Sequence, residues 1–100
     1  MRRIQIIVNN GAGTGQAHRV WKETQRLLRG YKIKYEAHMT RYRGHATKLA
    51  EEISGRKGND PVYLLVVGGD GTINEVLNGI LDFDRVRLGV IPTGSGNDFG

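Results

Sequence analysis

Residues 62–79 pass from an apolar run, Val62 to Val67, through Gly68-Gly69-Asp70-Gly71 and directly into helical periodicity. A buried strand that turns at once into a helix constrains the fold more than any other stretch of this chain. The apolar run has the length of a strand covered on both faces, which belongs in a parallel sheet. The glycines let a ligand approach the backbone without interference from side chains. The helix start beyond them carries a partial positive charge, so the junction suits an anion, phosphate above all. Asp70 is the unexpected residue, because a carboxylate among such amides repels an anion unless a cation or a proton lies between them.

The same alternation runs through the chain. Ile4 to Val8 reads as a buried strand and residues 9–15 as a glycine-rich loop. Gln16 to Arg29 reads as a helix with Ala17, Val20, Trp21, Thr24, Leu27 and Leu28 on one face, stopped by Gly30. Tyr31 to Met39 alternates as a half-exposed strand, and His45 to Ser54 repeats helical spacing through Ala46, Leu49, Ala50 and Ile53. Pro61 to Val67 is a strand expected at the centre of the sheet. Thr72 to Ile80 is a helix with Ile73, Val76, Leu77 and Ile80 inward, and Arg87 to Ile91 is a fourth strand. The order β-α-β-α-β-α-β with short connections predicts an α/β fold of three layers, a mostly parallel sheet between helices. Ligands of such sheets bind at the carboxyl ends of the strands. Four loops therefore belong on one edge: residues 9–15, 40–44, 68–71 and 92–98.

Each loop has a structural and a chemical reading. Thr72 and Glu75 have capping-box spacing, which would account for both residues by helix capping alone. Three glycines around Asp70 exceed what a cap needs, and Asp70 near phosphates would act through Mg²⁺ or by polarising an attacking hydroxyl. In Asn9-Asn10-Gly11-Ala12-Gly13-Thr14-Gly15 two familiar templates fail. A P-loop needs Gly-Lys-Ser/Thr, but Gln16 follows Gly15. The dinucleotide fingerprint fits Gly11 and Gly13, but Gln16 holds the third glycine's place. Where an acid should end the second strand, His38-Met39-Thr40-Arg41 stands; Arg41 and Arg43 would suit a 2′-phosphate. In Pro92-Thr93-Gly94-Ser95-Gly96-Asn97-Asp98-Phe99 small hydroxyl residues alternate with glycines, followed by an amide and a carboxylate that suit either a helix cap or a nucleotide. His18 and His45 read as surface and helix-start residues, and Trp21 as core.

Composition narrows the classes. Gly at 15 of 100 residues is about twice the usual ~7% and clusters in these loops. There is no cysteine, which excludes disulfides and thiolate metal sites and fits a reducing compartment. The apolar segment after Arg2 and Arg3 is too short for a signal peptide or a membrane span. The net charge is +5, but the basic residues include no run of five, which argues against nucleic acid as a partner.

Gly68-Gly69-Asp70-Gly71-Thr72, continued by Asn74-Glu75-Val76 and Asn78-Gly79, resembles the nucleotide motif of the diacylglycerol kinase catalytic domain family, which includes bacterial lipid kinases, sphingosine kinases and ceramide kinase. Residues 92–99 resemble its second motif, and Thr40 with Gly44-His45-Ala46 matches its segment after the second strand. The likeness extends over nearly the whole chain. Three positions depart from the pattern: Asn10 replaces a proline, Gln16 stands near the usual lysine, and Ser95 stands where threonine is commoner.

The resemblance implies a nucleotide-binding fold like those of phosphofructokinase and NAD kinase, and phosphoryl transfer from ATP to a lipid hydroxyl with Mg²⁺. It implies that Asn10, Gly11, Ala12, Gly13, Thr14, Thr40, Gly69, Asp70, Gly71, Thr72, Ile73, Asn74, Glu75 and Thr93 bind the nucleotide, and that Asp70 is catalytic and helps organise the metal. It implies a cytoplasmic protein that meets its lipid, diacylglycerol or a relative, at the inner face of a membrane. The family also has a β-rich domain that completes the lipid site and carries the general base. Residues 1–100 are thus expected to be the N-terminal nucleotide-binding part of a larger kinase and to be inactive alone. An NAD kinase-like phosphotransferase and a non-catalytic nucleotide-binding fragment are the alternatives. An unfinished sheet also exposes an edge that invites a second copy of the chain.

Overall fold

β-Branched residues on both faces of residues 4–8 and 62–67 favour extended backbone and leave no polar face, so both segments must be covered on two sides. The computed structural model, which describes residues 3–9, 15–58 and 60–93, places them so. Its elements are β1 (Ile4–Val8), α1 (Gln16–Gly30), β2 (Tyr35–Met39), α2 (His45–Ser54), β3 (Val62–Gly68), α3 (Asp70–Gly79) and β4 (Val86–Pro92). The four strands form one sheet in the order β2-β1-β3-β4, and every neighbouring pair is parallel. Parallel neighbours cannot be joined by tight turns, so each connection crosses over as a helix.

Two cores follow from the alternation of side chains along the strands. Ile6 and Val8 of β1 and Val67 of β3 pack against Trp21 and Leu28 of α1. Ile7, Leu64 and Val66 point the other way and pack against Ala46, Leu49, Ala50 and Ile53 of α2 and Val76 of α3. The expected three layers are therefore α1, the sheet, and the α2–α3 pair. Helices α2 and α3 approach closely because α3 presents Gly79: a Cβ there would lie 2.3 Å from the carbonyl oxygen of Thr47 and 2.9 Å from Ala50 Cβ.

The sequence reading needs three corrections. β2 starts at Tyr35 and not at Tyr31. The amides of Tyr31, Lys32 and Ile33 donate to the carbonyls of Leu27, Arg29 and Leu28, so they close α1 and are lost to the ladder. Lys32 makes that reversal in a left-handed conformation, φ 58°. Second, α3 begins at Asp70, two residues before the expected start, with Gly69 as N-cap. Third, Leu27 and Leu77 lie 48% and 39% exposed instead of facing inward.

Register fixes the functional edge. Val8 is opposite both Met39 and Val67, and Gly68 is opposite Pro92, so the carboxyl ends of the strands are level. The ladder runs one residue further: Asn9 N–H donates to Val67 O at 2.9 Å, Thr40 N–H to Val8 O at 2.9 Å and Thr93 N–H to Gly68 O at 3.0 Å. Asn9, Thr40, Gly69 and Thr93 are brought to one edge by these bonds, although they are far apart in sequence.

A candidate nucleotide cleft at the strand ends

The strand order reverses direction between β1 and β3, and in open α/β sheets the crevice beyond such a reversal is where ligands bind. A cleft of about 520 Å³ occupies this edge, lined by Asn9, Thr40, Arg41, Tyr42, Arg43, Gly69, Gly71, Thr72, Glu75 and Thr93. Its floor is the start of α3. Gly69 is extended there, and no side chain caps the helix. The first-turn amides thus keep their capacity for a ligand, and the helix dipole favours an anion. Gly71 keeps the approach open, since a Cβ built on it meets nothing within 4 Å.

Thr72 does not cap α3. Its side chain is buried, with Oγ1 accepting a hydrogen bond from Asn9 Nδ2 at 2.8 Å. It packs so closely on β3 that a Cβ at Gly68 would lie 2.9 Å from Thr72 Cβ. Glu75, the other half of the expected capping box, reaches sideways instead: its carboxylate accepts Gly44 N–H at 3.1 Å, and Thr47 Oγ1 donates to its carbonyl at 2.8 Å. These two bonds tie the end of the β2–α2 loop and the first turn of α2 to α3, beside the cleft.

That loop is held from its other end as well. His45 Nδ1 accepts the amide of Arg41 at 2.9 Å, and the His45 ring stacks on Tyr42 at 4.4 Å. Gly44 supplies the left-handed turn, φ 89°, that starts α2. Arg41 and Arg43 are exposed on the cleft wall across from the α3 start. The two arginines and the helix N-terminus offer an anion positive charge from two elements of the cleft, which also holds the Glu75 carboxylate bonded to Gly44 N–H.

Of the residues expected at the site, Thr40, Gly69, Gly71, Thr72, Glu75 and Thr93 line this cleft. Asp70 and Asn74 are exposed and Ile73 is half-buried against the α2–α3 core, and none of the three lines it. Asn10, Gly11, Ala12, Gly13 and Thr14, and the motif from Gly94 onward, lie outside the described residues. The cleft adds Asn9, Arg41, Tyr42 and Arg43. All four belong to loops expected on this edge, residues 9–15 and 40–44, and the two arginines also suited a 2′-phosphate; the particular contacts of Asn9 and Tyr42 were not legible, because they depend on a residue distant in the chain and on a ring stack. Among the described residues no group of three or more His, Asp and Glu side chains is arranged to hold a metal. None of their helices is long and apolar enough to cross a membrane.

The sequence profile of the diacylglycerol kinase catalytic domain matches residues 3–100. A Bacillus subtilis protein provisionally assigned as a lipid kinase, YtlR, is 41% identical over 94% of this chain and 30% of its own length. The Bacillus subtilis diacylglycerol kinase is 39% identical over 99% of this chain and 32% of its own. A crystal structure from Bacillus anthracis, provisionally assigned as a diacylglycerol kinase, superposes with a TM-score of 0.71 at 32% identity, over 97% of this chain and 32% of that one. The chain thus spans about a third of the length of these relatives.

Proposed function

This chain belongs to the diacylglycerol kinase catalytic domain family, and we propose that its cleft binds the polyphosphate of ATP for transfer of the terminal phosphoryl group to a lipid hydroxyl, that of diacylglycerol or a close relative. One observation carries the proposal: the uncapped start of α3 opens into the cleft where all four strand ends meet, with Arg41 and Arg43 opposite. Phosphoryl transfer depends mostly on positioning and charge stabilisation, and backbone amides with guanidinium groups supply both.

In this reading the phosphates lie on the amides of the α3 first turn, and Gly69 and Gly71 admit them. Thr40 and Thr93 contact the nucleotide from the neighbouring strand ends, and residues 10–14 are further nucleotide-binding residues in this reading. Asn9 and Glu75 are positioning residues that hold the α3 start and the β2–α2 loop. Mg²⁺ commonly binds through one or two carboxylates together with phosphate oxygens and water, so a single carboxylate fits it. Asp70, exposed in the first turn of α3, is that carboxylate. When bound, the ion would neutralise charge on the phosphates. The lipid-binding part and the general base belong to the remainder of a kinase about three times this length, working in the cytoplasm at a membrane face.

The test uses the intact protein, labelled ATP, Mg²⁺ and dispersed diacylglycerol, with NAD as a parallel acceptor. Label in the chloroform-soluble product is expected, and label confined to NADP would assign the cleft to a different kinase. Calorimetric titration completes it. ATP binds more tightly with Mg²⁺ than without, and Asp70→Asn removes that gain; absence of ATP binding by the folded protein refutes the nucleotide reading. Residues 1–100 alone are expected to bind ATP without transferring phosphate.

A further inference from the structure

Amides and guanidinium groups suit a triphosphate, but a nucleotide also carries a flat base that needs a surface of its own kind. Tyr42 is the only ring among the described residues that line the cleft; the others are polar, charged or glycine. None of the residues expected to bind nucleotide supplies a ring, and Tyr42 lies between Thr40 and Gly44-His45-Ala46, the residues of this segment that carry the family likeness. Tyr42 belongs to neither core and is 55% exposed, so burial does not account for it. Its position is fixed nevertheless, and by one residue, the half-buried His45. His45 N–H donates to Tyr42 O at 3.0 Å, His45 Nδ1 accepts the amide of the preceding Arg41, and the imidazole stacks on the phenol ring with the two planes inclined by 14°. The loop that carries the pair is pinned at both ends, by Thr40 N–H on Val8 O and by Gly44 N–H on the Glu75 carboxylate.

We propose that Tyr42 is the platform on which the adenine base of ATP stacks. The inference rests on the nucleotide reading of the cleft and adds the subsite for the base. An aromatic ring has two faces. His45 covers one of them, and the exposure of Tyr42 leaves the other to a ligand, so a bound base completes a stack of imidazole, phenol and purine. The bonds to the backbone and the ring contact hold the platform in place before the ligand arrives, so little side-chain freedom remains to be lost on binding. The bond from Gly44 to Glu75 joins this loop to α3, whose first turn receives the phosphates in the same reading. It thereby sets the base subsite and the phosphate subsite relative to each other.

Calorimetric titration of the intact protein with ATP and with ribose 5-triphosphate, which keeps the sugar and the charge but lacks the base, tests this. The parent is expected to bind ATP about tenfold more tightly than ribose 5-triphosphate, a gain within the range of base–aromatic stacking. Tyr42→Ala should weaken ATP binding about tenfold and leave ribose 5-triphosphate within about twofold of the parent. Tyr42→Phe keeps the ring and should bind both ligands like the parent. In proton spectra the H2 and H8 signals of adenine should move upfield on binding to the parent, through the ring current of Tyr42, and move less on binding to Tyr42→Ala. Unchanged ATP affinity in Tyr42→Ala would overturn the platform. Equal losses for the two ligands would also overturn it, because Tyr42 would then act only by shaping the loop. A loss in Tyr42→Phe as large as that in Tyr42→Ala would assign the contact to the hydroxyl and refute stacking. If the parent binds ATP no better than ribose 5-triphosphate, the phosphate placement stands and the base subsite alone is refuted. If the parent binds neither ligand, the nucleotide reading fails, and this inference fails with it.

Discussion

Two glycines of one motif should respond in opposite ways to the same added methyl group. At Gly79 a Cβ would lie 2.3 Å from the Thr47 carbonyl oxygen, a backbone atom that cannot rotate away. Helices α2 and α3 would have to part by at least about 0.7 Å to reach even the shortest contact that real Cβ atoms show. Overpacking of this kind costs about 1–3 kcal/mol, and the helix-propensity gain from Gly to Ala offsets at most about 1 kcal/mol of it. Gly79→Ala should therefore lose about 1–2 kcal/mol, a fall in Tm on the order of 10 °C for a domain of this size. Gly71 also lies in α3, but its Cβ position is open space on the cleft. Gly71→Ala should raise stability by about 0.5–1 kcal/mol and weaken ATP binding about tenfold, because the methyl occupies the approach to the helix amides. Gly30→Ala, in open space at the end of α1, controls for propensity alone: more stable, with unchanged ATP affinity. Thermal melts by circular dichroism and calorimetric ATP titrations give both readouts. A Gly79→Ala protein that melts within about 2 °C of the parent would refute the packing argument. A Gly71→Ala protein that melts higher and binds ATP as before would refute the placement of the phosphates.

Thr72→Val keeps the buried shape but removes the acceptor for Asn9 Nδ2. It should cost about 1 kcal/mol in urea unfolding and weaken ATP binding several-fold; unchanged affinity would show that Asn9 has no positioning role. Ser54 is buried, donates to Ala50 O at 2.7 Å and accepts Leu81 N–H at 3.0 Å. Ser54→Ala should cost about 1–3 kcal/mol, because Leu81 N–H loses its acceptor; a loss below about 0.5 kcal/mol would show that water replaces the hydroxyl. On β2, burial and then the Arg56 charge push the His38 pKa below its ordinary 6.5. The hydrogen bond from Gln5, supported by Arg56 and Arg3, holds Glu36 below its ordinary 4.5. In both cases the unfolded chain takes up protons first, so stability present above the ordinary value declines as pH falls through it. Tm should begin to fall below about pH 6.5, and His38→Gln should flatten that limb; an identical slope in the variant would acquit His38.

Element type and order were legible because burial on both faces of β1 and β3 leaves uninterrupted apolar runs, while α1 and α2 carry clear 3.6-residue spacing. Those signals are local, and so is the short linkage that forces a parallel sheet. What was not legible is decided by contacts across the chain. The Thr72–Glu75 spacing fits a capping box, yet Asn9, 63 residues from Thr72, and Gly44, 31 residues from Glu75, claim those side chains. The start of β2 was misplaced because Tyr31 to Ile33 alternate in type while their amides are spent on closing α1. Leu77 has the spacing of an inward residue, but Gly79 brings α3 so near α2 that the buried stripe narrows to Thr72, Val76 and Gly79.

The motif from Gly68 to Gly79 therefore combines two kinds of requirement. Gly68 must be small because Thr72 packs on it, Thr72 and Glu75 are fixed by hydrogen bonds, and Gly79 is fixed by the approach of α2. These requirements come from packing and hydrogen bonding within this chain and would hold whether or not it bound ATP. Asp70, Gly71 and Asn74 are different: all three are exposed, and the two helix-facing demands on them are weak. A carboxylate at a helix start gains only about 0.3–1 kcal/mol from the dipole, which Glu would supply as well, and a glycine in the first turn lowers stability. Folding thus explains the packed half of the motif and leaves Asp70 and Gly71 unexplained. Gly71 on the cleft and Asp70 beside it in the first turn of α3 are the part of the sequence that argues for a bound phosphate and its cation.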